Sequence, residues 1–414
     1  MGDLKQLPLP EILAPAGNLE RLHTALAYAP DAVYLAGPGL NLRSRGQNFT
    51  WRHLEQGIAL ARARDCRVYF CLNLLAQQGD LALIQDYLER LKDYPLQGLI
   101  VADPGVLDLA RQKLPDLPLH LSTQANTSNA QAARFWQSQG VARVNLAREL
   151  DLKALRSIRE QVPDLELEIF VHGAQCLALS GRCLLSACLN SRSANQGLCT
   201  QPCRFQYQVR SISLEEKERP GTETLHIDPG EEFEQILAPE DLCLIKYLPW
   251  LVRIGINSLK IEGRMRSSSY LAQVLDVYKT ALTDLQQGRF RPNLYLQELK
   301  ASQVRPLSSG FFLPGGEKKI FSPKRQSQET PVLGKFLEAL GGDRWLISVR
   351  HRWQEEQSFH LLLPGLRRPL VQPGEYGLED EQGRRQQVVH SGREAVLRLA
   401  DWRLQPGFML RLAS

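Results

Sequence analysis

Short apolar runs alternate with longer amphipathic stretches through the first two-thirds of the chain, and that alternation predicts its architecture. Eight runs read as strands: residues 11–17, 31–37, 67–73, 98–104, 118–124, 143–148, 166–173 and 258–264. Between most of them, apolar residues recur at helical spacing. Leu19, Leu22, Ala25 and Leu26 share one face, and Asn18 is placed to cap that helix. Leu81, Ile84, Leu88 and Leu91 make a second stripe. Strand and helix in alternation imply parallel strands joined by crossover helices. Eight such units favour a closed (β/α)8 TIM-like barrel over an open doubly wound sheet. Residues 1–290 are assigned to this barrel.

The seventh and eighth runs lie far apart, so the barrel is expected to carry an insertion over 174–256. Within it, 205–213 reads as extended, 215–234 as polar and turn-like, and 239–251 as helical. Tyr270, Val274, Val277, Tyr278 and Leu282 then mark a helix ending near Gly288. Residues 291–329 are rich in Pro, Gly, Ser and Lys and read as a linker. From 330 to 414 the pattern changes to short alternating runs at 345–350, 358–363, 386–390, 395–399 and 408–412. Gly and Pro turns separate them, which predicts a small all-β barrel domain.

A barrel of this kind carries its active site at the C-terminal ends of the strands. Those ends are polar here: Asn73, Asp103, Thr123, Gln124, Asn126, Arg148, Glu149, His172, Lys260, Glu262 and Arg264. Taken singly, each is equally a cap or a turn residue. Together they describe a basin for an anionic small molecule. Arg43, Asn73, Gln124, Arg148, Lys260 and Arg264 are the expected substrate-binding residues. His172, Glu149, Glu262 and Asp103 are the expected proton-transfer groups.

Cysteine usage sharpens this picture. Of eight cysteines, five fall between positions 176 and 203. Cys176, Cys183, Cys199 and Cys203 follow the spacing C-x6-C-x15-C-x3-C, directly after His172. Zinc ribbons use paired C-x2-C knuckles, and none is present. The wide first gaps fit a four-thiolate iron–sulfur cluster better, with zinc and unliganded redox thiols as the alternatives. Cys188 reads as a small, buried apolar residue, with substitution for a neighbouring ligand as the alternative. Cys66 and Cys71 read as core residues. Cys243 reads as core too, but is the alternative fourth ligand.

Composition adds limits. A 43% hydrophobic and 23% charged chain of 414 residues is of ordinary globular type. No window approaches about 18 uninterrupted apolar residues, so no membrane span is expected. The start, Met-Gly-Asp-Leu-Lys-Gln-Leu-Pro, has no apolar core and reads as no secretory signal. A cytoplasmic, reducing setting is therefore expected, where clustered thiols read as metal ligands or redox groups. The net charge of +5 permits a nucleic-acid partner without arguing for one. His-Glu-x-x-His, Gly-x-Ser-x-Gly, P-loop and dinucleotide fingerprints are all missing.

The run from Glu168 to Ser186, Glu-x-Phe-x-His-Gly-Ala-x-Cys-x6-Cys-Leu-x-Ser, resembles the signature of the U32 peptidase, or collagenase-like, family. Leu13-Ala-Pro-Ala-Gly-Asn-Leu19, Asp31-Ala-Val-Tyr34, Asn48-Phe49, Val101-Ala-Asp-Pro104, Leu146-Ala-Arg-Glu-Leu150 and Ser258-Leu-Lys-Ile-Glu-Gly-Arg264 also match. The resemblance covers residues 11 to about 290, and the C-terminal domain is similar to the tail of longer members. It implies a 4Fe-4S iron–sulfur cluster and prephenate as co-substrate. It also implies hydroxylation of the wobble uridine of tRNA, in the anticodon stem-loop, to 5-hydroxyuridine. Other branches of the family act on a ribosomal RNA cytidine or on quinone precursors, and the old family label implies a protease. Carried onto this chain, three ligands fall on Cys176, Cys183 and Cys199. The fourth falls on Cys203, with Cys243 as the other choice. Two departures stand out. Cys188 replaces another residue, and Arg305-Pro-Leu-Ser-Ser-Gly310 matches only loosely.

Overall fold

The computed structural model describes residues 4–42, 48–176, 178–205, 212–215, 223–227, 240–301, 305–313, 331–400 and 402–413. The first seven strands are β1 (Glu11–Pro15), β2 (Ala32–Leu35), β3 (Arg67–Leu72), β4 (Gly98–Val101), β5 (Leu119–Leu121), β6 (Val141–Asn145) and β7 (Glu166–Ala174). A hairpin of β8 (Ile212–Glu215) and β9 (Glu223–Ile227), then β10 (Asp241–Cys243), precede β11 (Ser258–Ile261). Strands β1 to β7 and β11 pair in parallel, and β11 bonds to β7 as well as β1, closing an eight-stranded barrel. The expected barrel is therefore present, with each expected run supplying one strand.

Helices wrap it: α1 (Leu19–Ala27), α2 (Trp51–Arg62), α3 (Leu81–Leu91), α4 (Pro104–Lys113), α5 (Ala130–Ser138) and α6 (Leu152–Gln161). Further on lie α7 (Leu185–Asn190), α8 (Leu248–Ile254), α9 (Ser268–Gln286) and α10 (Pro292–Lys300). Asn18, Thr50, Asp103, Asn129, Asp151 and Ser267 cap helices through their side chains, each satisfying an orphan N–H of the first turn. Strand residues alternate. Ile12, Val33, Val68, Leu99 and Leu167 pack outward under the helices, while Leu13, Tyr34, Tyr69, Cys71 and Ile100 pack inside. Among the described residues, no helix is long and apolar enough to cross a membrane.

Two readings differ from the structure. The segment 239–251 opens as strand β10, which pairs antiparallel with the end of β7, and becomes helical only at α8. The region read as a linker contains α10, whose Tyr295 and Leu299 are buried. Its Pro292 occupies the first helical turn, where a missing N–H costs nothing, so proline starts this helix rather than breaking it. The rest of the linker lies largely outside the described residues, as do most of 205–213 and 215–234. A short strand, β12 (Leu307–Ser308), pairs with β10.

The C-terminal unit is an antiparallel, barrel-like sheet. It is built from β13 (Val332–Gly341), β14 (Arg344–Val349), β16 (Phe359–Leu362), β17 (Leu370–Val371), β18 (Tyr376–Glu379), β20 (Glu394–Leu399) and β21 (Met409–Leu412), while β15 (Trp353–Gln354) and β19 (Val388–Val389) pair as a separate two-stranded sheet. The longest strand, β13, escaped the alternation test because its register shifts three times against its neighbours, which breaks the period of two.

Buried polar contacts join the two units. The Tyr28 hydroxyl donates to the Leu362 carbonyl at 2.8 Å. Arg368 bonds Asp276 of α9 at 2.7 Å and Glu298 of α10 at 3.1 Å. Asp276 also accepts from the Gly365 amide at 2.8 Å. Burial raises the Asp276 pKa despite the opposing pull of Arg368. Replacing Arg368 with Met is expected to lower stability by about 3 kcal/mol at neutral pH, because it strands a buried carboxylate. Urea denaturation should show that loss, and it should shrink as the pH is lowered and Asp276 takes up a proton.

Candidate active site at the barrel mouth

The inner wall along β6, β7 and β11 is charged. The Glu168 carboxylate is buried and accepts from Lys260 Nζ at 2.7 Å, Asn145 Nδ2 at 2.8 Å and Ser258 Oγ at 3.1 Å. Arg143 lies 3.6 Å away and also pairs with Glu11 and Glu166. Burial pushes the Glu168 carboxyl up, but the Lys260 ammonium and Arg143 outweigh it and hold it below the usual carboxylate range. Lys260 is thereby fixed beneath the mouth, 4.7 Å from the Tyr34 ring centre. Arg148 stacks 4.0 Å over Phe170.

Above this wall the insertion turns inward. Gly173 takes a left-handed φ of 108°, and a Cβ there would stand 2.6 Å from the Glu262 carbonyl oxygen, so only glycine fits. Glu149 receives the Ser180 amide and hydroxyl, each at 2.6 Å. The Ser186 hydroxyl accepts from the Thr200 amide at 3.0 Å, and Arg204 donates to the Gln175 carbonyl at 3.2 Å. These clamps bring Cys176, Cys183, Cys199 and Cys203 around one cavity of about 140 Å³. Asn73, Gln124, Arg148, Lys260, Glu262 and Arg264 line the same cavity.

The described cysteines are all unpaired thiols. Arg148 lies 3.7 Å from Cys176 Sγ, and the Gln201 amide lies 3.3 Å from Cys199 Sγ. Burial raises the Cys203 thiol; Arg204 opposes this, while Cys176 and Cys199 reinforce it. Among the described residues, no three His, Cys, Asp or Glu side chains converge tightly enough to hold a single metal ion. Cys243 lies elsewhere, in the core behind β7, where burial pushes its thiol up to about 11. Cys188, expected to be buried, is instead exposed near the end of the six-residue helix α7, and it lies outside the cavity lining. Cys66 and Cys71 are buried as expected, but Cys71 also forms part of the cavity floor.

Several expected site residues do other things. Asp103 caps α4, accepting from Gly105 and Val106 amides at 2.8 and 3.1 Å, and does not line the cavity. Glu149 anchors the Ser180 turn rather than facing the cavity. His172 points outward. One extra residue in β7 shifts its register against β11, so that Lys260 faces Phe170 but Ile261 faces His172. That bulge reverses the pleat and buries His172 between Tyr270 and Tyr278. Arg43 lies outside the described residues. Sequence reading passed over Glu168, Asn145, Tyr34, Phe170, Gln175 and Arg204. Of these, Glu168 carried a signal, being a carboxylate at an inward position of a strand read as apolar.

Three amide oxygens of the cavity lining, on Asn73, Gln124 and Asn145, are buried and accept no hydrogen bond. Buried acceptors are rarely left unpaired, so these point to a polar ligand.

The fold and this site define the class: a TIM-type barrel whose mouth is ringed by thiols, cations and open amides. Within it, the model of Peptidase family U32 matches residues 17–320, and the chain belongs to that family. It is 37% identical over 349 residues to the tRNA hydroxylation protein P1 of Bacillus subtilis strain 168, covering 83% of this chain and 80% of that one. It is 33% identical over 392 residues to tRNA hydroxylation protein P of Escherichia coli strain K12, covering 86% of each. A protein of Porphyromonas gingivalis strain ATCC BAA-308 / W83 named Collagenase is 33% identical over 291 residues, covering 68% of this chain and 67% of that one.

Burial drives His172 down to about 3, with Arg266 adding to the shift. Its folded pKa lies below the ordinary 6.5, so unfolding takes up a proton and stability falls as pH drops below about 6.5. His172→Gln should remove about one proton from that uptake, flattening the stability profile by about 1.4 kcal/mol per pH unit between pH 6 and 5. Urea titrations across that interval measure it. An unchanged slope would mean His172 is solvated in the native state.

Proposed function

We propose that this protein is an iron–sulfur tRNA-modifying enzyme that hydroxylates the wobble uridine to 5-hydroxyuridine, with prephenate as co-substrate. The observation that carries this reading is the sharing of one cavity by four thiols, the cations Arg148, Lys260 and Arg264, and three unpaired amide oxygens. Two relatives matched over most of their length are named tRNA hydroxylation proteins.

The donor set suits the cofactor. Four cysteines line one cavity, the number of thiolates a 4Fe-4S cluster takes, and their sequence spacing lacks the paired C-x2-C knuckles of zinc ribbons. In this reading Cys203, not Cys243, is the fourth ligand. Arg148 donates toward Cys176 Sγ from 3.7 Å, a contact that orients this thiol at the cavity. When bound, a 4Fe-4S cluster supplies iron and electron-transfer capacity at the mouth.

The chain's own residues divide the remaining work. Arg148 and Arg264 offer planar donors to the carboxylates of a dicarboxylate such as prephenate, and Lys260 adds a fixed charge. Tyr34 and Phe170 present ring faces to a base flipped out of an anticodon loop. The amides of Asn73, Gln124 and Asn145 read its polar edge. Glu262 is the carboxylate in the lining, placed to hold or move a proton.

The name Collagenase on one relative raises a protease reading. Among the described residues, no histidine lines the cavity, so no thiol or hydroxyl there has an imidazole base.

Mass spectrometry of tRNA nucleosides tests the activity. Cells lacking the gene should lose 5-hydroxyuridine and its derivatives and regain them with the intact gene; unchanged levels would sink the assignment. Iron and sulfide assays on protein prepared without oxygen test the cofactor. Serine at Cys176, Cys183, Cys199 or Cys203 should cut the content sharply, whereas serine at Cys188 or Cys243 should not.

A further inference from the structure

Helices α1 and α9 both begin at the mouth end of the barrel, since each follows the C-terminal end of a strand. Their first turns meet there. Gly17 passes so close beneath the Arg264 carbonyl that a Cβ would approach it to 2.1 Å. Arg21 donates to the Arg266 carbonyl at 2.7 Å, and Ser268 donates to Glu20 at 3.2 Å. The C-terminal sheet docks on this spot. Lys335 bonds Glu20 at 2.5 Å and Arg350 bonds the same carboxylate at 3.1 Å.

One carboxylate thus serves two cations, with Arg21 beside them. Burial lowers the Lys335 pKa, and Arg350 and Arg21 add repulsion that Glu20 opposes. The edge continues through two loops of the sheet. The Val349 amide donates to the Arg393 carbonyl at 2.8 Å, and the Ser391 hydroxyl donates to the Arg350 carbonyl at 2.6 Å. Those loops expose Arg350, His351, Arg352, His390 and Arg393. Arg352 and Arg393 form no ion pair among the described residues. Glu20 and Glu394 are the acids beside this edge.

We propose that this edge is a phosphate track: Arg21, Arg350, Arg352 and Arg393 lead from the cavity rim onto the C-terminal sheet and bind the sugar-phosphate backbone of a folded RNA. The inference rests on the tRNA reading above and adds where that RNA lies. A small dicarboxylate fills the cavity and needs no such extension. The loops offer cations and no exposed Phe, Tyr or Trp ring, which suits backbone positioning rather than base reading. The C-terminal sheet would then hold the RNA body while a base enters the barrel.

The test uses the full-length protein and an unmodified tRNA transcript, with affinity measured across a salt series. The double variant Arg352→Glu/Arg393→Glu should bind about tenfold or more weakly, and its dependence of log affinity on log salt should flatten by about 1.5. Arg352→Lys/Arg393→Lys should retain the wild-type slope, which separates charge from folding. Thermal unfolding of each variant should match the parent, since both positions are exposed. Tight wild-type binding with an unchanged slope in the Glu variant would overturn the track and leave the tRNA reading standing. A wild-type protein that binds no tRNA would overturn both, and capture of an acidic protein through this edge instead would overturn the RNA assignment.

Discussion

The Glu168 carboxylate inside the barrel is the group on which the site depends. A bare carboxylate there would be intolerable, yet it has Lys260, Asn145, Ser258 and nearby Arg143 to answer it. Those partners come from β6 and β11, which flank the β7 strand that carries Glu168, so one charge ties together three adjacent strands. Arg143 extends the network to Glu11 on β1, where Tyr69 also donates at 3.0 Å. The barrel interior is thus divided. Leu13, Tyr34, Tyr69, Cys71 and Ile100 make an apolar half, and the ionic chain makes the other. Apolar residues alone would close the barrel equally well. The ionic half instead fixes a lysine ammonium directly below the mouth.

The second constraint is the bulge in β7. It turns His172 into the outer core and lets the strand run on to Ala174, where β10 pairs with its end. The cysteine segment leaves from that extended end. Its local structure is too short to hold a shape alone: α7 has six residues, and the neighbouring turns are single 3-10 turns. Shape comes instead from side-chain clamps that reach across from the barrel loops and within the segment. Glu149 is the clearest case. It stands at a strand end, where catalysis was expected, yet both its oxygens are taken by Ser180.

Much of this was legible in the sequence because parallel barrel strands are buried on both faces and stand out as apolar runs. The strand-end rule also found Asn73, Gln124, Arg148, Lys260, Glu262 and Arg264, all of which line the cavity. It failed where two roles share one residue type and one position. Asp103 precedes Pro104 at the start of α4, and a helix cap explains it fully. Pattern reading also assumes an unbroken pleat, so a bulge misplaced His172 and three register shifts hid β13. Glu168 was hidden differently, since its partners come from other strands and only the closed barrel brings them together.

The open amides show how the two halves of the design meet. Each buried acceptor left without a donor costs about 1–3 kcal/mol relative to a satisfied one. Asn73, Gln124 and Asn145 concentrate that cost in one place, on three different strand ends. Collapse of the cavity would relieve it, but Asn145 is already held through its other amide atom by Glu168, and the backbone carbonyl of Gln124 itself accepts from Arg182 Nε at 2.9 Å. The ionic wall below and the clamped cysteine segment above therefore keep the cavity open against its own tendency to close. A ligand that donates to these oxygens recovers the cost on binding, which favours a polar, planar guest over an apolar one of equal size.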